Sequence, residues 1–266
     1  MALSISLSAS AATTTVVVTG DTAAGNNQPG WLFNRDLSTS TPYEFNTDEA
    51  SIGVGSLYVE PIANNNASGL PGNNPNKDKF IAEYFYLDEV AGVNSISYDF
   101  LTDNASDADQ FYMNLYVNDG SDPIEFYDCR YNVVPTTLTP DPVTGFTTVT
   151  YDLGAPASSV DVRGTANIAC PLNPADLAEG AVLRAVAINV GDTSASDTGV
   201  DGYLDKVVLN TANDVTTFDF EPALSPSDKN ECKKDGWKTF NAPAFTNQGQ
   251  CVSWTNHHDG RGQDDN

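Results

Sequence analysis

The chain has 266 residues, a formal net charge of −24 and a sequence pI of about 4.1. With 12 Lys and Arg against 36 Asp and Glu, it lacks the cations that displace counterions from phosphates, so a nucleic-acid partner is excluded and an anionic membrane surface is disfavoured. No run reaches the roughly 20 apolar residues of a spanning helix, which argues against membrane insertion, while 40% hydrophobic and 10% aromatic residues suffice for a core.

The chain opens on a mildly apolar Ala2–Leu7 stretch, followed by Ala9-Ser10-Ala11, the small-x-small pattern that precedes signal-peptidase cleavage. A basic n-region is lacking. Residues 1–12 therefore read either as a signal-peptide remnant or as a disordered Ser/Ala-rich N-terminus.

Short β-rich runs then recur between clusters of Gly, Asn, Pro and Asp. Strands are predicted near Thr14–Thr19, Trp31–Asn34, Ser56–Pro61, Phe80–Leu87, Asn94–Leu101, Gln110–Asn118, Ile124–Val134, Phe146–Asp152, Val182–Val190, Tyr203–Asn210 and Thr216–Phe220. Only Pro171–Gly180 reads as a helix, with Asn173 as cap, Pro174 at its first position and Gly180 at its end. This pattern predicts an all-β fold, a two-sheet antiparallel jelly-roll sandwich spanning residues 13–222.

Alternation assigns faces. Phe111, Met113, Leu115 and Val117 point to the core, which turns Tyr112, Asn114 and Tyr116 outward. The same logic puts Asp99 outside in Asn94–Phe100, and Asp128 and Arg130 outside in the following strand. Sugar rings stack on aromatic faces, and Asn, Asp and Arg hydrogen-bond hydroxyls. Tyr112, Asn114, Tyr116, Asp99, Asp128 and Arg130 are therefore the candidate glycan-binding set, against the alternative of an ordinary solvated sheet or one covered by the Val134–Gly145 loop.

Asp outnumbers Glu by 27 to 9, a bias toward turns and calcium loops rather than helix surfaces. Asp192, Asp197, Asp201 and Asp205 line a Gly/Ser/Thr-rich loop that enters a strand, and Asp103, Asp107 and Asp109 form a second cluster. Either could offer oxygen ligands to calcium, with Asp205 the best single candidate; the alternative is a solvated acidic loop.

Beyond Ser225–Asn230, the segment Cys232–Trp254 packs two Trp, two Phe and two Cys into a short span. A unit that small buries little by itself, and a disulfide is the usual remedy. Residues 223–254 therefore read as a disulfide-closed, hairpin-like C-terminal module, and 255–266 as a disordered polar tail. Its aromatics form either a small core or a patch for anchoring to a cell-surface component. The four cysteines allow three pairings; Cys129–Cys170 and Cys232–Cys251 are favoured because each pair lies within one composition block. Spaced cysteines and acidity point to a secreted or extracellular protein, possible cell-surface association included.

Two stretches carry a resemblance. Gln28-Pro29-Gly30-Trp31-Leu32-Phe33-Asn34 with Ile52-Gly53-Val54-Gly55-Ser56-Leu57 is one; the other runs from Asp228 through Cys232-Lys233-Lys234-Asp235-Gly236-Trp237 to Asn247-Gln248-Gly249-Gln250-Cys251-Val252-Ser253. Together they resemble uncharacterised secreted bacterial jelly-roll proteins with a C-terminal D-x-C-K-x-G-G-W…N-Q-G-x-C-V-S motif, from which Asp235 departs where the pattern has Gly. The group implies secretion and fold, not chemistry. Gly202-Tyr203-Leu204-Asp205-Lys206-Val207 is also similar to the closing strand of carbohydrate-binding jelly-roll modules, which implies that Asp205 helps hold a structural calcium; Lys206 departs from the usual second acid or amide.

Catalysis is disfavoured. His257 and His258, the two histidines of the chain, lie in the polar tail, so a nucleophile triad lacks a rigidly held base. Glu44, Glu49, Glu60, Glu83 and Glu125 are available to a glycan hydrolase, but nothing in their spacing pairs them. The reading is a non-catalytic secreted glycan-binding module with structural calcium; the alternatives are a structural cell-surface or matrix protein attached through its C-terminal module and, last, a glycan-acting hydrolase.

Overall fold

A computed structural model describes residues 11–33, 43–60, 79–103, 109–120, 125–163, 170–191 and 200–258. These fall into two compact units, one ending at Glu221 and one beginning at Pro222.

In chain order the strands are β1 (Ala12–Val18), β2 (Gly30–Phe33), β3 (Tyr43–Asn46), β4 (Ser56–Val59), β5 (Lys79–Phe85), β6 (Asp88–Glu89), β7 (Val93–Leu101) and β8 (Phe111–Asn118). They continue with β9 (Cys129–Asn132), β10 (Thr137–Pro140), β11 (Thr147–Asp152), β12 (Ser159–Val162), β13 (Val182–Gly191), β14 (Gly202–Thr211) and β15 (Asp214–Phe220). An eight-stranded sheet, sheet A, runs β1-β15-β14-β7-β11-β10, with β4 on β14 and β3 on β4. A seven-stranded sheet, sheet B, runs β12-β9-β8-β13-β5-β2, with β6 on β13. All pairs are antiparallel except β1 with β15, which is parallel.

The first unit is an all-β sandwich of jelly-roll type. Its core takes every second residue from both sheets: Tyr98, Phe100, Leu204 and Phe220 from sheet A, and Phe80, Met113, Leu115 and Ile188 from sheet B. Trp31 is 1% exposed, with the rings of Tyr84, Phe218 and Phe220 within 5.3 Å. The disulfide Cys129–Cys170 ties β9 to the segment that follows β12. Instead of the helix expected at Pro171–Gly180 there is one 3₁₀ turn, Pro174–Asp176, whose cap is Asn173 as expected: its side chain accepts from the Ala175 N–H.

The second unit is helical rather than hairpin-like. A 3₁₀ turn, Gly236–Thr239, precedes helix α1 (Gln248–His258), and Cys232–Cys251 joins the segment before the turn to the helix. Asn247 accounts for the helix start, since its side chain accepts from the Gln250 N–H. The helix also carries residues 255–258, which the sequence reading had assigned to the tail; residues 259–266 lie outside the described part.

Candidate functional site

The outer face of sheet B gathers Tyr112, Asn114, Tyr116 and Arg130, as alternation predicts. Their strand neighbours Met113, Leu115, Cys129 and Tyr131 are all core residues. The register sets one row as Phe85, Ala185, Tyr116, Arg130 and Asp161, and the next as Glu83, Ala187, Asn114, Asn132 and Ser159.

A hydrogen-bonded amide ladder runs along the second row, entered from Asn189, which pairs with Tyr112 in the row beyond. Asn189 Nδ2 donates to Asn114 Oδ1 at 3.0 Å, Asn114 Nδ2 to Asn132 Oδ1 at 2.6 Å, and Asn132 Nδ2 to Ser159 Oγ at 2.7 Å. Four strands are thus crossed by bonds that all point one way, from fully buried Asn189 to exposed Ser159. The ladder leaves Ser159 a hydroxyl hydrogen to offer. At its other end Asn189 Oδ1 is buried and has no partner among the described residues.

The first row is aromatic and basic. Phe85 and Ala185 form a small outer cluster with Ala23, packed by Leu32, Tyr116 and Phe126. Tyr116 meets Tyr127 edge-on at 4.8 Å. Burial, then Glu83, pushes the Tyr116 hydroxyl up to about 12, so it stays a hydrogen-bond donor across the ordinary pH range. The Arg163 guanidinium lies 4.6 Å from the Tyr127 ring centre, and that of Arg184 lies 5.1 Å from Phe126. Arg130 pairs with Asp161 across the β9–β12 register.

Two of the six expected glycan-binding residues sit elsewhere. Asp99 belongs to sheet A, 3% exposed, where Thr148 Oγ1 donates to it at 2.6 Å and Lys206 Nζ pairs with it at 2.7 Å. Consecutive strands β7 and β8 lie in different sheets, so outward on one is not the same surface as outward on the other. Asp128 precedes β9, is fully buried, and accepts from the Asp119 N–H; it is an internal tie rather than a surface group. Glu83, Ser159, Arg163 and Arg184 join the face unforeseen, and Asn132 joins it as alternation along its strand predicts. Arginine scarcity was the available signal for Arg163 and Arg184.

On the outer face of sheet A, the loop from β3 to β4 covers three acids. Asp205 is fully buried and accepts five hydrogen bonds, from Ser51 N and Oγ, Ile52 N, Lys206 N and Phe220 N. A bulge between Asp205 and Val208 turns Lys206 into the left-handed region, φ 41°, and out toward Asp99. Asp219 and Glu221 lie beside Asp205, 8% and 4% exposed. Glu221 Oε1 accepts from the Val54 N–H at 2.6 Å, but Glu221 Oε2 and Asp219 Oδ1 are buried without partners among the described residues. Burial, then Glu221 and Asp205, pushes the Asp219 carboxyl up to about 7. Gly53, φ 68°, lets the loop approach: a Cβ there would overlap the Glu221 carboxylate.

These two orphaned oxygens fit a hard cation better than Asp205 does, whose lone pairs are largely taken. No three His, Cys, Asp or Glu side chains among the described residues are arranged around one metal position, so Asp219 and Glu221 would need backbone oxygens or water to complete a shell. Asp201 is remote from them in role: with Glu44, Tyr58, Asp103 and Tyr203 it lines a cavity of about 280 Å³. Asp192, Asp197 and Asp107 lie outside the described residues. The alternation in Phe218-Asp219-Phe220-Glu221 was the signal for the acid pair, since its apolar partners had to face the core.

No family model matches the chain, and no curated protein does. Among solved structures, a carbohydrate-binding module of the CBM28 group, specific for non-crystalline cellulose, is similar at 14% identity and a TM-score of 0.29, over 76% of this chain and 98% of that one.

Proposed function

We propose that the sandwich is an extracellular, non-catalytic binding module that holds a glycan on the outer face of sheet B. The amide ladder from Asn189 to Ser159 carries this reading. Its groups are locked in place before a ligand arrives, so little entropy is lost on binding. Strand spacing of about 4.8 Å presents them as a regular row beside the Tyr116 ring, which suits the hydroxyls and CH faces of successive sugar units. Tyr112, Tyr116 and Arg130 are the sequence-identified contacts, joined by Asn132 and Ser159, while Asn114, buried at 5% exposure, ties the row beneath them. Two disulfides, with no free cysteine among the described residues, support an oxidising compartment.

Structural calcium is part of the proposal, moved from Asp205 to Asp219 and Glu221, where it would neutralise two buried carboxylates and pin the β3–β4 loop to β15. Isothermal titration with oligosaccharides bound on a glycan array tests the module: saturable binding that Tyr116→Ala weakens at least about tenfold, roughly 1.4 kcal/mol, is the expected result.

A second reading, attachment to a cell surface through the C-terminal unit, is favoured by one observation. Four of the seven lysines of the chain lie between Lys229 and Lys238, beside half-exposed Trp237, Phe240, Phe245 and Trp254. Light scattering of the chain with and without residues 225–266 tests it through concentration-dependent assembly.

A further inference from the structure

We propose that the ligand of the sheet B face is an acidic glycan, whose carboxylate or sulfate is received by Arg130 with Arg163 and Arg184 framing it; this rests on the glycan reading above. The chain has only 12 basic residues against 36 acids, yet all three arginines among the described residues come to one end of one face. Arg163 and Arg184 are positioned by the aromatic row, and Arg130 by its pair with Asp161. Arg163 stacks on Tyr127 and Arg184 on Phe126, and these rings join the row through Tyr116 and Phe85. Stacking on an aromatic face leaves the in-plane N–H groups of a guanidinium to grip an anion; Arg184 already donates one of its own to Asn27 Oδ1 at 3.2 Å.

Two of those N–H groups lack a partner. Arg130 Nε and Arg184 Nε are buried with no hydrogen-bond acceptor among the described residues. A buried charged donor left unmet is costly, and an anion arriving at the face would meet that need. Asp161 is the group holding the Arg130 guanidinium meanwhile; its side chain is 53% exposed, so the pair is weak and open to exchange. Repulsion from the net charge of −24 is screened beyond about 8 Å at physiological ionic strength, which leaves the local arginines to decide.

The test is calorimetric titration of the full chain at 0.15 M salt with charged and uncharged versions of one sugar: oligogalacturonate against its methyl ester, and dextran sulfate against dextran. At least one charged form is expected to bind, with its uncharged counterpart about tenfold weaker or worse. Arg130→Gln and Arg163→Gln should each weaken the charged ligand about tenfold and leave the thermal midpoint near that of the parent. Asp161→Asn should tighten it, because a competitor for Arg130 is removed; a merely structural arginine would not respond in that direction. Equal binding of charged and uncharged sugars would overturn this proposal and leave the glycan reading standing. Binding of neutral sugars alone would do the same. No binding of any sugar, here or on an array, would overturn both.

Discussion

Asp219 concentrates the electrostatic strain of the sandwich in one residue. Its carboxyl ordinarily titrates near 3.8 and is pushed up to about 7 here. Because the folded pKa is the higher one, this residue costs nothing below about pH 4, and its stability contribution is lost as pH rises through about 7. The thermal midpoint in EDTA should therefore fall between pH 4 and pH 7 from this source, and Asp219→Asn should flatten that part of the profile. Calcium selects the ionised form, so adding it at pH 7 should restore the midpoint; melting curves with no calcium response, and no metal by elemental analysis, would remove the site. Gly53 is the steric counterpart. Gly53→Ala demands both a positive φ from an L side chain and room where the Glu221 carboxylate lies, so it should cost more than about 1 kcal/mol by denaturant titration. Nothing local marks Gly53 in the sequence as special, since its meaning comes from residues 166 to 168 positions away, Asp219 and Glu221.

At the scale of elements, the strands that alternate were legible and the ones that do not were not. Phe111–Asn118 and Asn94–Leu101 each send an apolar side chain to the core at every second position, which makes a periodic signal. By contrast β10 is exposed at all four positions, and β12 at three of four. These edge strands exist through backbone pairing with β11 and β9, which leaves no hydrophobic period to read. Of the run read as one strand, Ile124–Val134, the described residues are strand only at Cys129–Asn132; just before it, the Asp128 carbonyl accepts from the Arg163 N–H and the Tyr127 ring lies against the Arg163 guanidinium. The amide ladder is a property of paired strands, and it makes a stability prediction. Asn132→Ala removes the shorter of two acceptors of Asn114 Nδ2 and the donor to Ser159 together, leaving Asn114 Nδ2 only its 3.4 Å bond to the Tyr131 carbonyl; a loss of about 1–3 kcal/mol is expected in urea titration. Asn132→Asp, which keeps the acceptor, should lose less; equal losses would show that the ladder bond to Asn114 is not what matters.

For the whole molecule, the all-β sandwich and both cysteine pairings were legible, because composition and spacing are global properties. Which sheet each strand joins was not. Asp99 and Tyr112 are close in sequence and were read as one surface, but the chain crosses between sheets from β7 to β8. The two units also differ in what holds them together. The sandwich has a large core, whereas no aromatic residue of the C-terminal unit is fully buried, so that unit depends on Cys232–Cys251. Reduction should open it to trypsin at Lys233, Lys234 and Lys238 while the sandwich resists longer; cleavage at the same rate with the disulfide intact would contradict this division. The account turns on whether the outer face of sheet B binds sugar. A glycan array on the purified chain, with calcium and with EDTA, measures that most directly. The account predicts binding to a defined glycan class that is lost in Tyr116→Ala and Asn132→Ala proteins with intact folds. A blank array under both conditions, or binding that both substitutions leave unchanged, would contradict it.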